Sequence, residues 1–286
     1  VKRLNKGFTI VELLTVIGII AILVGILIPS FVAVKSMAVN AKQKAQFIAL
    51  EQGLLAYKND QGDYPESEAY TYNDYSGAQK LVEALFGWDL IGFHPNTDWT
   101  STGLCVTSGK NAQDSYDPKR DRNDGSLYER KGPYVDPAKS SLFMIGDIFN
   151  NYNPLNPDTY VLCDGFGTTK KVTLMPGKSA NAGSPILYYK ANTQYKTIDN
   201  GFTNKRIYNP DDNMSVVLAK WDLDGKKSDK HLLRNPAGTF DYFYNYISDP
   251  RATTGVRRWP YNPEGFILIS AGSDGEYGTD DDVTNF

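Results

Sequence analysis

Histidine, cysteine and methionine are scarce in this chain: two, two and four residues. His94 and His231 lie far apart in sequence, and neither sits in a cluster with metal-ligand spacing. Cys105 and Cys163 are too few for a disulfide framework, and their spacing is no zinc motif. Two alternatives stand for them. They could pair if they lie outside the cytoplasm, closing a loop worth about 4 kcal/mol in the chain-entropy model, or remain two unpaired buried thiols. There is no G-x-S-x-G elbow, no phosphate loop and no H-E-x-x-H. Acid pairs on loops predict little without geometry. Nothing therefore identifies an enzyme, and no residue is assigned as catalytic. A net charge of −3 gives no reason to expect nucleic acid as a partner. Internal repeats and low-complexity tracts are absent as well.

What is present is a long apolar run. Residues 8–28 are almost wholly apolar, and at 1.5 Å per residue they span roughly 30 Å, the hydrocarbon thickness of a bilayer. Lys2, Arg3 and Lys6 precede the run and should stay on the cytoplasmic side, so the rest of the chain is exported. The run is longer than a signal-peptide core, and no convincing cleavage site follows Pro29. An uncleaved anchor accounts for the length but not for Glu12, since a charged side chain in a bilayer costs roughly 2.5–3.5 kcal/mol. A cut after Gly7 supplies the reason. Phe8 then carries a free amine one helical turn from Glu12, at i and i+4. At about 4 Å and an effective dielectric near 20, such a pair attracts by about 4 kcal/mol. If a neighbouring chain supplies the amine, the pair sets the axial register between subunits. The bland alternative for Glu12 is a protonated, inert carboxyl near the interface.

The segment "KGFTIVELL" resembles the processing and methylation motif of type IV pilins and type II secretion pseudopilins. The resemblance implies that a prepilin peptidase cuts after Gly7 and methylates Phe8, that Glu12 is the assembly residue, and that Pro29 is the helix-kinking proline. Residues 57–85 add Tyr57, Asp60, Gly62, Tyr64 and Pro65, then Gly77, Leu81 and Leu85, which resemble the "Y-x-x-D-x-G-x-Y-P … G-L-x-A-L" region of the major pseudopilin. Here "G-A" replaces "G-L". The resemblance covers residues 1–88 and 265–286; the middle agrees only in general character.

Between Val34 and Leu55 the sequence continues as a helix. Val34, Ala38, Ala41, Ala45, Ile48, Gln52 and Leu55 follow helical spacing with one imperfect position. Phe47, Leu50, Leu54 and Tyr57 lie beside them, and Lys35, Lys42, Lys44 and Glu51 form a polar face. A helix from Phe8 to about Lys58 would be roughly 75 Å long. "NDQGDYPES" (59–67) stops it, and "GAQKLVEALFGW" (77–88) reads as a short amphipathic helix. Abundant Tyr (19), Gly (25) and Pro (15) suit a loop-rich, β-containing body. Segments 159–167, 184–191, 215–221 and 265–272 read as strands. Residues 95–132 read as a long solvated surface insertion. The expected architecture is α+β: a long N-terminal helix, transmembrane in its first half, packed on an antiparallel sheet, which is the pilin fold. Its organisation is a leader (1–7), an assembly helix (8–30), an amphipathic second half (31–60) and an exported head (61–286).

The chain ends "ISAGSDGEYGTDDDVTNF", with Asp274, Asp280, Asp281 and Asp282 among glycines. Clustered carboxylates repel unless neutralised, and oxygen-only donors suit Ca²⁺. The order is not that of an EF-hand, and a solvated acidic tail is the alternative. The ending resembles the calcium loop of the major pseudopilin, with Val283 for Ile and Phe286 for Trp. The resemblance implies Asp274, Asp280 and Asp282 as side-chain ligands, aided by carbonyls near Ser270 and Ala271. Asp281 stands where the family has a small residue. "WDLDGKKSD" (221–229) lacks later EF-hand ligands and reads as a turn.

The resemblance implies a single-pass protein of the inner membrane with its head in the periplasm or outside the cell. It lies in membrane lipid before assembly and forms a helical fibre with itself and other pseudopilins through an inner-membrane assembly platform. The alternatives are a type IV pilus subunit or a membrane-tethered enzyme.

Overall fold

The computed structural model describes residues 9–69, 74–105, 113, 114, 116, 126–151, 153–175, 177–195, 198, 206–225, 231–234, 241–252 and 258–286. The chain divides into two compact units, Val1–Lys42 and Gln43–Phe286.

Helix α1 runs over Ile10–Gln61. Its apolar start has no polar residue competing for the backbone except Thr9, Glu12 and Thr15. Pro29 lies inside it; lacking an amide, Pro29 cannot bond the carbonyl of Gly25. The hydroxyl of Ser30 donates to the Ile26 carbonyl at 2.9 Å. The helix stops where Gly62 takes φ +91°, with its amide bonded to the Lys58 carbonyl at 2.8 Å. This left-handed position favours glycine. In the first unit the large apolar side chains from Ile10 to Phe31, and those of Val34 and Met37, are exposed, and the helix is long and apolar enough to cross a membrane.

In the second unit, α1 buries Gln43, Phe47, Leu50, Leu54 and Tyr57. The stripe singled out in the sequence is not the buried one: Ile48 and Leu55 stay 55% and 52% exposed. The head chooses the larger Phe, Leu and Tyr side chains beside that stripe, which remove more apolar area from water. Helix α2 (Gly77–Phe86) follows, and all ten of its residues are buried. It is therefore enclosed rather than amphipathic. Its polar members are satisfied inside: Gln79 Oε1 accepts from the Ser76 amide and hydroxyl, and Glu83 accepts from Tyr75, Thr97 and Tyr116. Gly77 permits the close approach, since a Cβ there would lie 2.3 Å from the Tyr188 carbonyl.

The strands are β1 (Leu104–Cys105), β2 (Gln113–Asp114), β3 (Leu142–Met144), β4 (Tyr160–Leu162), β5 (Lys170–Met175), β6 (Lys178–Ala182), β7 (Leu187–Lys190), β8 (Phe266–Ser270) and β9 (Val283–Thr284). They pair antiparallel as β1-β2, β3-β4, β5-β6 and β7-β8-β9. In the three-stranded sheet, Tyr188, Phe266 and Leu268 pack with α1 and α2. Leu187, Tyr189, Ile267 and Ile269 pack on the opposite side with Val216, Val217, Phe243 and Tyr277. A sheet covered on both faces needs apolar residues at every position, which is why β8 reads as an unbroken apolar run.

Three short helices follow, α3 (Ser126–Glu129), α4 (Ile145–Ile148) and α6 (Asp241–Tyr246), with α5 (Met214–Leu223) between the last two and 3-10 turns at Pro137–Lys139, Pro210–Asn213 and Leu232–Arg234. Helix α5 overturns the strand expected at 215–221. The buried Asn213 that caps it and the buried Val216, Val217 and Lys220 within it follow i, i+3, i+4, i+7. Because the first and last of these are polar, the apolar pattern hides the helical period. Gly225, in the segment read as a turn, takes φ +74° just past the end of this helix.

The insertion also departs from its expectation. Ser101, Tyr116 and Arg130 are buried, and Arg130 grips both carboxylate oxygens of Asp89 at 3.0 and 2.7 Å. The segment "DPKRDRNDG" (117–125) lies outside the described residues. Cys163 is a free, buried thiol, and the side chain of Cys105 lies outside the described residues.

Candidate assembly site and C-terminal loop

Gly7 and Phe8 lie outside the described residues, so the site begins at Thr9. Its amide and hydroxyl both donate to Glu12 Oε2, at 2.9 and 2.8 Å. In return the Glu12 amide donates to Thr9 Oγ1 at 3.2 Å. This is a reciprocal cap: residues N-cap and N3 satisfy each other's backbone donors at the helix start. Thr9 escaped the sequence reading, although T-x-x-E before an apolar run is its signature. The cap gives Glu12 a definite position on the first turn. The carboxylate stays exposed. Pro29 lies about five helical turns further along α1.

The C-terminal loop joins β8 to β9. Ser270 and Ala271 are fully buried. Ser270 Oγ donates to Asp164 Oδ2 at 3.1 Å, and the Ala271 carbonyl accepts from Gly275 at 3.1 Å. Asp281 is the centre of the loop. Its Oδ2 accepts from the Ser273 amide (2.7 Å), the Ser273 hydroxyl (2.7 Å) and the Asp274 amide (3.0 Å), and its Oδ1 from Thr279 Oγ1 (2.8 Å). Burial raises its pKa, but bonds from Ser273, Thr279 and Asp274 more than offset this and hold it at about 2. Asp282 Oδ2 accepts from Tyr246 and from the Gly278 amide, at 2.7 and 2.8 Å. Burial, aided by the nearby Asp274 charge, pushes its pKa up to about 7 against those bonds. Asp274 is also raised, by burial and by Asp281.

Asp274, Asp281 and Asp282 thus meet around the Thr279 hydroxyl, while Asp280 is exposed. Of the residues that the resemblance names, Asp274 and Asp282 lie beside Thr279 and Asp280 does not, while Asp281, which it left without a role, fills the interior of the loop. Among the described residues, no three His, Cys, Asp or Glu side chains stand as a preformed metal group. In donor chemistry the three carboxylates still fit a hard divalent cation, which would relieve their mutual repulsion.

A second buried polar group supports the loop from below. His231 Nε2 lies 2.7 Å from Asp224 Oδ2, and Lys220 Nζ donates to the same oxygen at 2.6 Å. His231 Nδ1 accepts from the Tyr277 amide at 3.3 Å. Through the Tyr277 amide this group packs against the loop.

The prokaryotic N-terminal methylation motif family matches residues 2–28. The chain is 37% identical over 67 residues to type II secretion system core protein G of Aeromonas hydrophila, covering 23% of this chain and 47% of that one. It is 34% identical over 80 residues to the core protein G of Escherichia coli K12 (28% and 50%) and to that of Klebsiella pneumoniae (28% and 52%). The chain thus spans about half the length of the curated relatives it matches. No solved structure matches. A capped carboxylate opening an exposed apolar helix and the matched residues together show that this chain bears the prokaryotic N-terminal methylation motif and is similar, over its N-terminal part, to pilin-like secretion proteins.

Proposed function

We propose that this chain is a structural subunit of a type II secretion pseudopilus. The observation that carries the reading is the coincidence of the methylation motif at residues 2–28 with Glu12, held by Thr9 at the start of a helix whose large apolar side chains from Ile10 to Phe31 are exposed. Prepilin peptidase cuts after Gly7 and methylates Phe8. The α1 segment then rests in the inner membrane with the head on the far side, until the assembly platform adds it to a fibre of like subunits. There the Phe8 amine of a neighbour meets Glu12, and burial of both charges makes the pairing strong. The chain acts as a building block rather than as a catalyst. The names of the relatives favour export over a surface pilus.

The C-terminal loop in this reading takes Ca²⁺ through Asp274, Asp281 and Asp282, with backbone carbonyls completing the shell. When bound, the ion supplies charge neutralisation and stiffens the β8–β9 connection.

Glu12→Ala in the full chain tests the assembly role. Membrane insertion and head folding should persist while assembly into sedimentable fibres is lost. Assembly equal to that of the wild type would overturn the reading.

A further inference from the structure

Just past α1, residues 63–68 meet the end of β7 and the turn before α5 around a cavity of about 460 Å³. Small-molecule sites span roughly 300–1,000 Å³. Asp63, Glu66, Glu68, Asp212, Lys190 and Arg206 line it, four acids against two bases. Lys190 is occupied by two of the acids, its Nζ lying 2.9 Å from both Asp63 and Glu66. Arg206 lies over the Tyr244 ring, 5.6 Å from the centroid. Asp212 is the decisive group. It is 3% exposed. Its Oδ2 accepts from the Ser67 hydroxyl at 2.5 Å, and Ser67 Oγ accepts in turn from the Lys190 amide at 2.9 Å. Its Oδ1 is buried and makes no hydrogen bond of normal geometry. A buried carboxylate oxygen left unpaired beside a cavity calls for a donor. We propose that this cavity binds a primary ammonium group on an aliphatic stem, the end of a lysine side chain or of a small amine.

The ligand class follows from what Asp212 Oδ1 lacks. An ammonium brings three donors and a charge of the right sign. A metal ion fits less well, since among the described residues no three His, Cys, Asp or Glu side chains stand as a metal group. An anion would meet Asp212 and Glu68. The wall suits a stem: Ile207 and Ala191, both buried, offer methylenes an apolar surface. Glu68, Asn192 and Gln194 are exposed and take the polar groups at the far end of the stem. Burial, aided by the Glu68 charge, lifts the Asp212 carboxyl to about 7 against the Ser67 bond, the Lys80 charge and the Ala69 amide. Lys80, on α2, donates from Nζ to the Glu68 carbonyl. With Asp63, Glu66, Lys190 and Arg206 these are the charges that face Asp212 from the elements packed around it. An ammonium is held by the ionised carboxylate, so binding weakens as pH falls below about 7.

Isothermal titration of the full chain in detergent, with EGTA present, tests this with two probes, Nα-acetyl-lysine amide and cadaverine. Nα-acetyl-norleucine amide, which lacks the ammonium, should not bind. At pH 8 binding of the lysine amide supports the inference and points to a protein side chain as the source. Binding of cadaverine alone supports it and points to a free amine. Affinity should fall roughly tenfold by pH 5.5, as Asp212 takes up its proton. Asp212→Asn should abolish binding, and Glu68→Gln should weaken it severalfold. Asp211→Asn, at an exposed neighbour that does not line the cavity, should leave it unchanged. No binding of either amine, equal binding by Asp212→Asn and wild type, or norleucine amide binding as tightly as lysine amide overturns the inference. If Asp212→Asn does not fold, undiminished binding by Glu68→Gln overturns it. The titration reads the head of a single chain, so the pseudopilus reading stands or falls separately.

Discussion

Asp164 offers a sharp test of how the head is held together. It sits where β4 ends, 2% exposed, with Oδ2 accepting from Ser270 and Oδ1 from the Phe166 amide. Burial outweighs these bonds and the nearby Lys220 charge, and lifts its carboxyl from 3.8 to about 7. For an acid the sign is unusual. Below the unfolded value both states hold the proton, and nothing is gained or lost. Between about 4 and 7 only the folded state keeps it, so stability falls as pH rises, and above about 7 the loss is complete. At about 1.36 kcal/mol per pH unit the ceiling is about 4 kcal/mol, and relaxation of the surroundings reduces it to about 2 kcal/mol. Asp164→Asn removes the ionisation and keeps the bonds, since the amide oxygen can accept from Phe166 and the amide nitrogen can donate to Ser270. Thermal denaturation of residues 43–286 at pH 5 and pH 8, in EGTA, reads the effect. The variant should melt about 4–8 °C higher than wild type at pH 8 and gain less than half as much at pH 5, where only part of the loss has accrued. Asp212 and Asp282 are likewise pushed up to about 7 and lower both proteins over the same window. The difference between the two proteins therefore isolates Asp164. Equal melting at pH 8, or an equal gain at both pH values, would refute the reasoning.

Gly77→Ala should cost about 2–4 kcal/mol, because the new Cβ meets the Tyr188 carbonyl and pries α2 from β7. It also strains the buried bond from Ala78 to Asn213, 2.8 Å in the native head. Urea denaturation should show an earlier midpoint with an unchanged slope. Calcium added to the EGTA-treated head should raise its melting temperature by linkage, with a gain of about 2.7 kcal/mol at a hundredfold excess over Kd. Asp281→Asn should weaken that response more than Asp280→Asn, because only Asp281 faces the Thr279 hydroxyl. Equal responses in the two variants would return Asp280 to the ligand set.

Much of this architecture was legible in the sequence because its signals are local. The apolar run, Glu12 and Gly62 mark α1 from its first turn to its stop, and β4, β7 and β8 carry apolar runs bounded by turns. What escaped depends on tertiary partners. Lys220 of α5 and its cap Asn213 are buried because Asp224 and Tyr188 satisfy them. No spacing rule anticipates such pairings, so 215–221 read as a strand. The choice of buried face on α1 was hidden for a similar reason: two adjacent stripes are apolar, and only the shape of the head decides between them. Asp281 and Asp280 are neighbours in an acidic run, and their roles separate only when Ser273 folds back onto one of them.

The central claim is that cleavage frees an amine for Glu12. Mass spectrometry of the chain purified from its native membranes tests it most directly. The account predicts an N-terminus at Phe8 carrying one methyl group. A chain that retains residues 1–7, with no methylated phenylalanine, would contradict it.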